Sequence, residues 1–255
     1  MIYVYYVKLD IYFVNVASRA IKSPKMNHKN ISSVQNPTVK RLLLLQSKAK
    51  ARRREDGFVV EGLRELGLCY SGGYQIKEIY YVAHLIDFKD IQHVLPNAQD
   101  IEFVQITEEV YKKLAYRDTT EGVIAFAKAK TTRLQNLVLP KNPLIMVAEA
   151  PEKPGNIGAL LRTADAANVD AFIIANPKTD LYNPNIIRSS VGCVFTNQVA
   201  MRRHQLEAEI SSALSDGVIT NDEREKIDDL RQRLNITEED AMAIIGYLQR
   251  KNDQK

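Results

Sequence analysis

Two apolar runs separated by one amphipathic helix constrain the fold of this chain most strongly. LIMVAEA (144–150) and AFIIA (171–175) lack the polar alternation of a half-exposed strand, and IGALLRTADAANV (157–169) lies between them as a helix. Uniformly apolar strands are typical of parallel sheets that are covered on both faces, and parallel neighbours need a crossover of this length. The sequence therefore predicts a βαβ unit and an α/β fold.

The rest of the chain divides into four further segments. We predict an N-terminal extension at 1–30, a second α/β domain at 31–130, a linker at 131–142, the βαβ domain at 143–201 and a small α-helical segment at 202–255. The second domain is expected to begin with a basic helix over 39–55, followed by strands over 58–62, 76–82, 101–106 and 120–127. The βαβ domain is expected to end with a strand over CVFTNQVA (193–200).

The composition excludes several classes of protein. The formal net charge of +4 over 255 residues permits a polyanionic partner without requiring one. Cys69 and Cys193 stand alone, without the Cys/His spacing of a metal site. We therefore expect no metal and no disulfide, and a reducing cytoplasm. Lys8 and Asp10 interrupt the apolar N-terminal run, so we expect neither a signal peptide nor a membrane span.

The densest positive charge in the chain lies between residues 48 and 54. It comprises Lys48, Lys50, Arg52, Arg53 and Arg54. Such side chains bind a phosphate backbone with an affinity that is sensitive to salt and largely blind to sequence. A solvated helix face explains the same run equally well. The residues alone leave both interpretations open.

A glycine-bearing loop follows the first strand of the βαβ unit. Gly155 and Asn156 lie where this strand passes to a helix, at the carboxyl edge of a parallel sheet, which is where such sheets bind ligands. Backbone amides at the start of a helix can face an anion, and Arg162 follows on the second turn. The loop matches neither the dinucleotide fingerprint nor the P-loop. A plain βα turn is therefore the alternative interpretation.

The motifs around this loop resemble those of a known family. The acidic strand end, the proline and NIGALLRTADAA (156–167), with NPNIIRSSVGCVF (183–195) downstream, are similar to the first two motifs of SpoU-type RNA 2′-O-ribose methyltransferases, of the SPOUT superfamily. The stretch at 36–66, with TEGVIAFA (120–127), resembles the family's substrate-binding domain, a fold similar to ribosomal protein L30e. The resemblance implies an L30e-like RNA-binding domain followed by a partial SPOUT-type parallel α/β domain.

The resemblance also implies a reaction, the transfer of a methyl group from S-adenosylmethionine to a ribose 2′-hydroxyl of ribosomal or transfer RNA. A ribose hydroxyl is a poor nucleophile, so its proton must be removed or the forming alkoxide stabilised. Arg162 matches the arginine of the first motif. Because a guanidinium stays protonated at neutral pH, we expect Arg162 to stabilise negative charge and to hold a phosphate. Asn156 would orient Arg162 or the ribose, and its alternative role is to cap the helix.

The second motif implies further site residues. Arg188 is expected to contact RNA, and the cofactor contacts are expected from Ser190, Gly192 and Val199. Glu61 matches the characteristic glutamate of the substrate-binding domain, where a structural role is expected.

The chain departs from the family after Met201. We find no counterpart of the third motif, a Gly-Asn-Glu-Gly loop, an Ile-Pro-Met strand and a Ser-Leu-Asn helix start that form a trefoil knot. An alternative function is therefore a catalytically inactive RNA-binding or helical-interaction protein derived from a truncated methyltransferase. An open carboxyl edge around Asn156 and Val199 would indicate an incomplete cofactor pocket, unless a partner chain, such as a second copy in a homodimer, supplies the missing loops.

Overall fold

The computed structural model describes residues 29–96, 98–116, 121–202, 204–214, 219–234 and 236–252. Nearly all of the expected N-terminal extension, residues 1–28, lies outside this range. Among the described residues, no helix is both long and apolar enough to cross a membrane.

The N-terminal domain is a five-stranded mixed sheet packed between helices. Its strands are β1 (Lys29–Ile31), β2 (Gly57–Glu61), β3 (Ile76–Tyr81), β4 (Glu102–Ile106) and β5 (Val123–Lys128), in the order β1-β4-β3-β5-β2. β4 is parallel to both of its neighbours, and β5 is antiparallel to both of its own. The helices are α1 (Pro37–Ser47), α2 (Ala49–Arg54), α3 (Leu63–Ser71), α4 (Phe88–Val94) and α5 (Glu108–Leu114). The predicted α/β domain is confirmed.

The predicted basic helix over 39–55 is two helices in the structure. The backbone is extended at Lys48, with φ −125° and ψ 116°, so that α1 ends at Ser47 and α2 begins at Ala49. This break brings the Arg52 guanidinium back to the carbonyl oxygens of Leu45 and Gln46. Both carbonyls belong to the last turn of α1, where no further amide of the helix can donate a hydrogen bond to them. The arginine therefore closes the end of α1.

The second domain contains the predicted βαβ unit. A three-stranded parallel sheet is formed by β6 (Ile145–Glu149), β7 (Ala171–Ala175) and β8 (Val199–Arg202), in that order. The helices are α6 (Pro154–Ala166), α7 (Pro184–Ser189) and α8 (Cys193–Thr196). The strand predicted over 193–200 is therefore wrong over 193–198 and correct only at its last two residues. Gly192 adopts a left-handed φ of +82° that starts a helical turn, and the strand begins only at Val199.

The two domains share one hydrophobic core. The ring of Phe58 on β2 stacks on that of Tyr182 with 4.3 Å between centroids, and Tyr74 and Phe195 complete the aromatic cluster. Burial raises the pKa of the Tyr182 phenol to about 12, and its hydroxyl accepts a hydrogen bond from the Lys130 amide at 3.0 Å. Apolar burial of this kind is the main favourable contribution to folding, so the two domains stabilise each other.

The predicted linker at 131–142 is packed against the second sheet. A 3-10 turn forms at Leu134–Asn136. The Met201 amide on β8 donates to the Thr132 carbonyl at 2.7 Å, and the Gln198 side chain bonds both backbone groups of Val138. The segment therefore lies along the outer edge of β8.

The C-terminal segment is a small helical unit with a core of its own. It consists of α9 (His204–Ala213), α10 (Asn221–Leu234) and α11 (Glu238–Asn252). Buried apolar side chains hold the helices together, among them Ile210, Ala213, Leu214, Ile227, Ile236 and Ala241. Thr220 and Glu223 form a reciprocal capping pair at the start of α10.

Candidate functional site

The carboxyl edge of the second sheet is strained. Glu149, Ala175 and Arg202 are in register as the last residues of β6, β7 and β8. Directly after β6 and β7 the chain turns through Ala150 and Asn176, which have positive φ angles of 45° and 47°. The Asn176 amide donates to the Glu149 carboxylate at 2.7 Å. Left-handed backbone is costly for alanine, and such strain is concentrated at functional sites.

The start of α6 forms one wall of this edge. The helix begins at Pro154 with Lys153 as the N-cap residue, and Lys153 makes no side-chain capping bond. Asn156 lies inside the first turn and is exposed, so the capping role considered for it is wrong. A Cβ atom added to Gly155 would meet nothing within 4 Å. The start of α6 therefore forms a wall beside this edge whose residues Gly155 and Asn156 are open to solvent.

The two residues predicted to be catalytic do not meet within one chain. Asn156 and Arg162 are six residues apart on α6, which separates them by about 9 Å along the axis and about 120° around it. The Arg162 guanidinium donates to the Ser189 carbonyl at the end of α7, at 3.0 Å. Asn156 is thus near the carboxyl edge while Arg162 lies lower on the helix, against α7.

The three residues predicted to bind the cofactor lie elsewhere. Val199 is the first residue of β8 and pairs with Phe172, so it lies toward the amino edge of the parallel sheet. Ser190 is fully buried, and its hydroxyl donates to the Ile187 carbonyl at 3.0 Å. A Cβ atom on Gly192 would lie 2.6 Å from the Leu68 side chain of α3. Ser190 and Gly192 therefore shape the α7–α8 turn where it packs on the first domain.

The predicted RNA-binding run divides into exposed and buried members. Lys48, Lys50 and Arg54 are exposed. Arg53 is half-buried, one of its terminal nitrogens has no hydrogen-bond partner among the described residues, and burial lowers its pKa. Arg52 is buried and forms an ion pair with Asp180 at 2.7 Å. The prediction for Arg52 is therefore wrong, because its guanidinium is already bound within the protein.

The Arg52–Asp180 ion pair positions the basic helix. Asp180 lies in the loop 176–183, which leaves the carboxyl end of β7 and leads into α7. The ion pair therefore fixes α2 against the loop that leaves the carboxyl edge. Sequence reasoning missed Asp180, because one carboxylate in a polar loop carries no periodic signal.

Arg188 lies at the junction of the two domains. Its guanidinium is 4.7 Å from the centroid of the Tyr116 ring, a distance typical of a cation–π contact. Beside this pair is a cavity of about 30 Å³, and the residues around it come from both domains. Sequence reasoning missed Tyr116, which follows α5 in a segment without a recognisable pattern.

The described residues show no metal site. Within the described ranges, no three His, Cys, Asp or Glu side chains are grouped as they would be around a metal ion.

Comparisons with known proteins agree with this architecture. An MRM3-like substrate binding domain matches residues 36–125, and the SpoU rRNA Methylase family matches residues 143–246. The crystal structure of an RNA 2′-O ribose methyltransferase is 32% identical with a TM-score of 0.59, over 73% of this chain and 69% of that one. A Sinorhizobium meliloti rRNA methyltransferase solved with S-adenosylmethionine bound, 24% identical with a TM-score of 0.61, shares the fold over 69% of this chain and 66% of its own.

Curated relatives are longer than the matched part of this chain. A 23S rRNA guanosine 2′-O-methyltransferase of Bacillus subtilis is 24% identical over 74% of this chain and 71% of its own length. A 23S rRNA uridine 2′-O-methyltransferase of Streptomyces viridochromogenes is 24% identical over 57% of this chain. The match spans only 50% of the Streptomyces protein.

Proposed function

Because the chain belongs to the SpoU rRNA methylase family, we propose that it transfers a methyl group from S-adenosylmethionine to a ribose 2′-hydroxyl of RNA. The observation that carries this proposal is the 32% identity to an RNA 2′-O ribose methyltransferase of the same fold. Ribosomal RNA is the favoured substrate over transfer RNA, because the curated relatives act on 23S rRNA. The catalytically inactive alternative is not favoured by these similarities. With two unpaired cysteines, the cytoplasm is the proposed compartment.

S-adenosylmethionine needs more protein than the described edge provides. Glu149, Asn176 and the start of α6 form one wall, while Gly155 and Asn156 are open. Small-molecule sites usually bury most of the ligand surface, and this wall alone does not. The described residues therefore do not by themselves fit the cofactor. We propose that a second polypeptide covers the edge.

A second copy of this chain is the proposed partner. β6 is an edge strand of its sheet. Val147 within the strand is 62% exposed, and Leu144, the residue just before it, is 57% exposed. Natural edge strands are protected from pairing by lysine, proline or a β-bulge. β6 has no lysine, no proline and no register shift. A two-fold dimer is the commonest closed assembly.

RNA binding is proposed for the exposed basic side chains near the junction. Lys48, Lys50 and Arg54 would contact phosphates, and Arg188 would contact RNA at the domain junction. The Arg52–Asp180 pair supports this role by holding α2 near the carboxyl edge. Arg162, permanently charged, is suited to stabilise an alkoxide and unsuited to accept a proton.

Removing one exposed basic side chain should weaken RNA binding in a salt-dependent way. For Lys50→Ala or Arg54→Ala, we expect the slope of log affinity against log salt to fall by about one, because one phosphate contact is lost. Filter binding from low to high salt measures this slope. Lys226→Ala, an exposed lysine on α10, is the control and should leave the slope unchanged. Equal slopes for the parent and all variants would show that α2 is not part of the RNA-binding surface.

Blocking the β6 edge should prevent cofactor binding if a dimer completes the site. We expect Val147→Lys to yield a folded monomer that binds S-adenosylmethionine at least tenfold more weakly than the parent, because a charged edge opposes strand pairing. Light scattering and calorimetric titration measure the two effects. Met242→Lys, at a side chain on α11 that is 64% exposed, is the matched control and should change neither. A monomeric parent that binds the cofactor fully would refute the dimer.

A further inference from the structure

The α7–α8 turn is enclosed between one helix of each domain. A Cβ atom on Gly192 would lie 2.6 Å from the Leu68 side chain and 3.7 Å from that of Glu65, so the start of α8 packs on the first turns of α3. On the other side, the Asn197 side chain donates to the Leu161 carbonyl of α6 at 3.3 Å. The turn therefore joins α3 of the first domain to α6 of the second.

An exposed arginine lies on each side of this turn. Arg64 is on the first turn of α3, one helical turn before Leu68, so the two side chains share the face of α3 that meets α8. Arg162 on α6 donates to the Ser189 carbonyl at 3.0 Å, which leaves its other donors facing solvent. The two domains therefore each contribute one accessible guanidinium to the surface of the turn.

Cys193 lies in the space between the two arginines. Burial and the Asp165 carboxylate raise the pKa of the Cys193 thiol, whereas the charges of Arg64 and Arg162 oppose this rise. Both guanidinium groups are therefore near the thiol. The Asp165 carboxylate accepts a hydrogen bond from the Thr196 hydroxyl. The ion pairs within the described part of the chain include neither arginine.

The two arginines have the chemistry of a phosphate site. Like charges that are held near each other repel unless an anion lies between them, and the guanidinium fork matches the oxygens of a phosphate. We propose that Arg64 and Arg162 together bind one phosphate of the RNA backbone, across the junction of the two domains. Neither sequence motif identifies Arg64 as an RNA-binding residue. This inference rests on the proposed function, which makes RNA the substrate.

The phosphate site extends the RNA path along the junction. The exposed basic side chains of α2 end at Arg54, before β2 (Gly57–Glu61), and Arg64 follows that strand. A strand of this length spans about 15 Å. Arg188 lines the same cavity as Val59 in the middle of β2, so it lies between the two ends. An RNA strand that contacts all three arginines therefore runs along β2, and its phosphates fix its position without reading its sequence.

The salt dependence of RNA binding tests the role of Arg64. For transcribed, unmodified ribosomal RNA, we expect Arg64→Ala to lower the slope of log affinity against log salt by about one, because one phosphate contact is lost. Arg64→Lys keeps the charge and should keep most of the slope. Arg224→Ala removes an exposed arginine of α10 and is the matched control. Filter binding over a series of salt concentrations compares them, and a parental slope for Arg64→Ala would overturn the inference.

Labelling of Cys193 tests whether RNA occupies the space between the arginines. The chain has 2 cysteines, and Cys69 is fully buried, so a maleimide added to folded protein reports on Cys193. At mildly alkaline pH, where more of the thiol is ionised, we expect saturating ribosomal RNA to slow labelling several-fold. Inorganic phosphate at the same phosphate concentration should leave the rate unchanged. Unchanged labelling with RNA, or equal protection by inorganic phosphate, would contradict an RNA phosphate at this site.

Methyl transfer distinguishes a failure of this inference from a failure of the proposed function. RNA binding that depends on Arg64, in folded protein that transfers no methyl group, would reject the proposed activity and leave the phosphate site standing. Methyl transfer by a parent whose RNA binding is unchanged in Arg64→Ala would support the activity and reject the site.

Discussion

Replacing Asp180 by alanine should lower the free energy of unfolding by about 3–5 kcal/mol, the usual effect of removing one partner of a buried ion pair. The Asp180 carboxylate accepts two hydrogen bonds from Arg52, at 2.9 Å from Nε and 2.7 Å from Nη2. The Arg52 side chain is only 6% exposed. Without Asp180 the guanidinium would stay charged and buried, or the contact between α2 and the loop 176–183 would open.

Urea denaturation of the parent and the variant measures this loss. Arg54→Ala is the control, because Arg54 is an exposed arginine on the same helix and should change the free energy of unfolding by no more than about 0.5 kcal/mol. A double replacement, Arg52→Met with Asp180→Leu, should recover most of the loss, since an apolar pair needs no charge compensation. A loss for Asp180→Ala no larger than that of the control would show that the pair does not join the domains.

Gly158→Ala should lower the free energy of unfolding by about 1–3 kcal/mol, the range for overpacking a core contact. A Cβ atom at this position would lie 1.9 Å from the Ser189 hydroxyl oxygen and 2.7 Å from the Ser189 carbonyl carbon. Backbone cannot move aside as a flexible side-chain end can, so α6 and α7 would have to separate. The glycine of the first motif is thus explained by the close approach of two helices.

Gly155→Ala is the matched control for this substitution. The same change is made three residues earlier on the same helix, where a Cβ atom would meet nothing within 4 Å. Alanine is favoured over glycine within helices by up to about 1 kcal/mol, so we expect no loss and a small gain. Thermal denaturation of both variants compares the effects. Equal changes in stability for Gly158→Ala and Gly155→Ala would contradict the explanation that Gly158 allows α6 and α7 to pack closely.

The sequence pattern predicted the β6–α6–β7 unit of the second domain well, because the residues that define it are close together in the chain. The two apolar runs and the helix between them gave β6, α6 and β7 at nearly the expected positions. Parallel strands covered by helices on both faces are continuous apolar runs, which can be recognised without knowledge of distant residues. The alternation of strands and helices in the first domain was likewise predictable.

The errors have long-range or conformational causes. At the break after Ser47, Arg52 bonds the last turn of α1 and pairs with Asp180, which is 128 residues away and could not be found from local pattern. The strand expected over 193–200 ignored the left-handed turn at Gly192. That early strand would have put Val199 near the carboxyl edge, whereas the true strand begins there. The junction cavity could not be predicted, because it forms only when the two domains pack.

The most direct test of the central claim is transfer of a labelled methyl group from S-adenosylmethionine to unmodified ribosomal RNA, followed by nucleoside analysis. We expect the label in a 2′-O-methylated nucleoside at a position that resists alkaline cleavage. Arg162→Ala should abolish the transfer while the protein stays folded. Folded protein that binds RNA and transfers no methyl group, or that methylates a base, would contradict the claim, and the first of these results would favour a catalytically inactive RNA-binding protein.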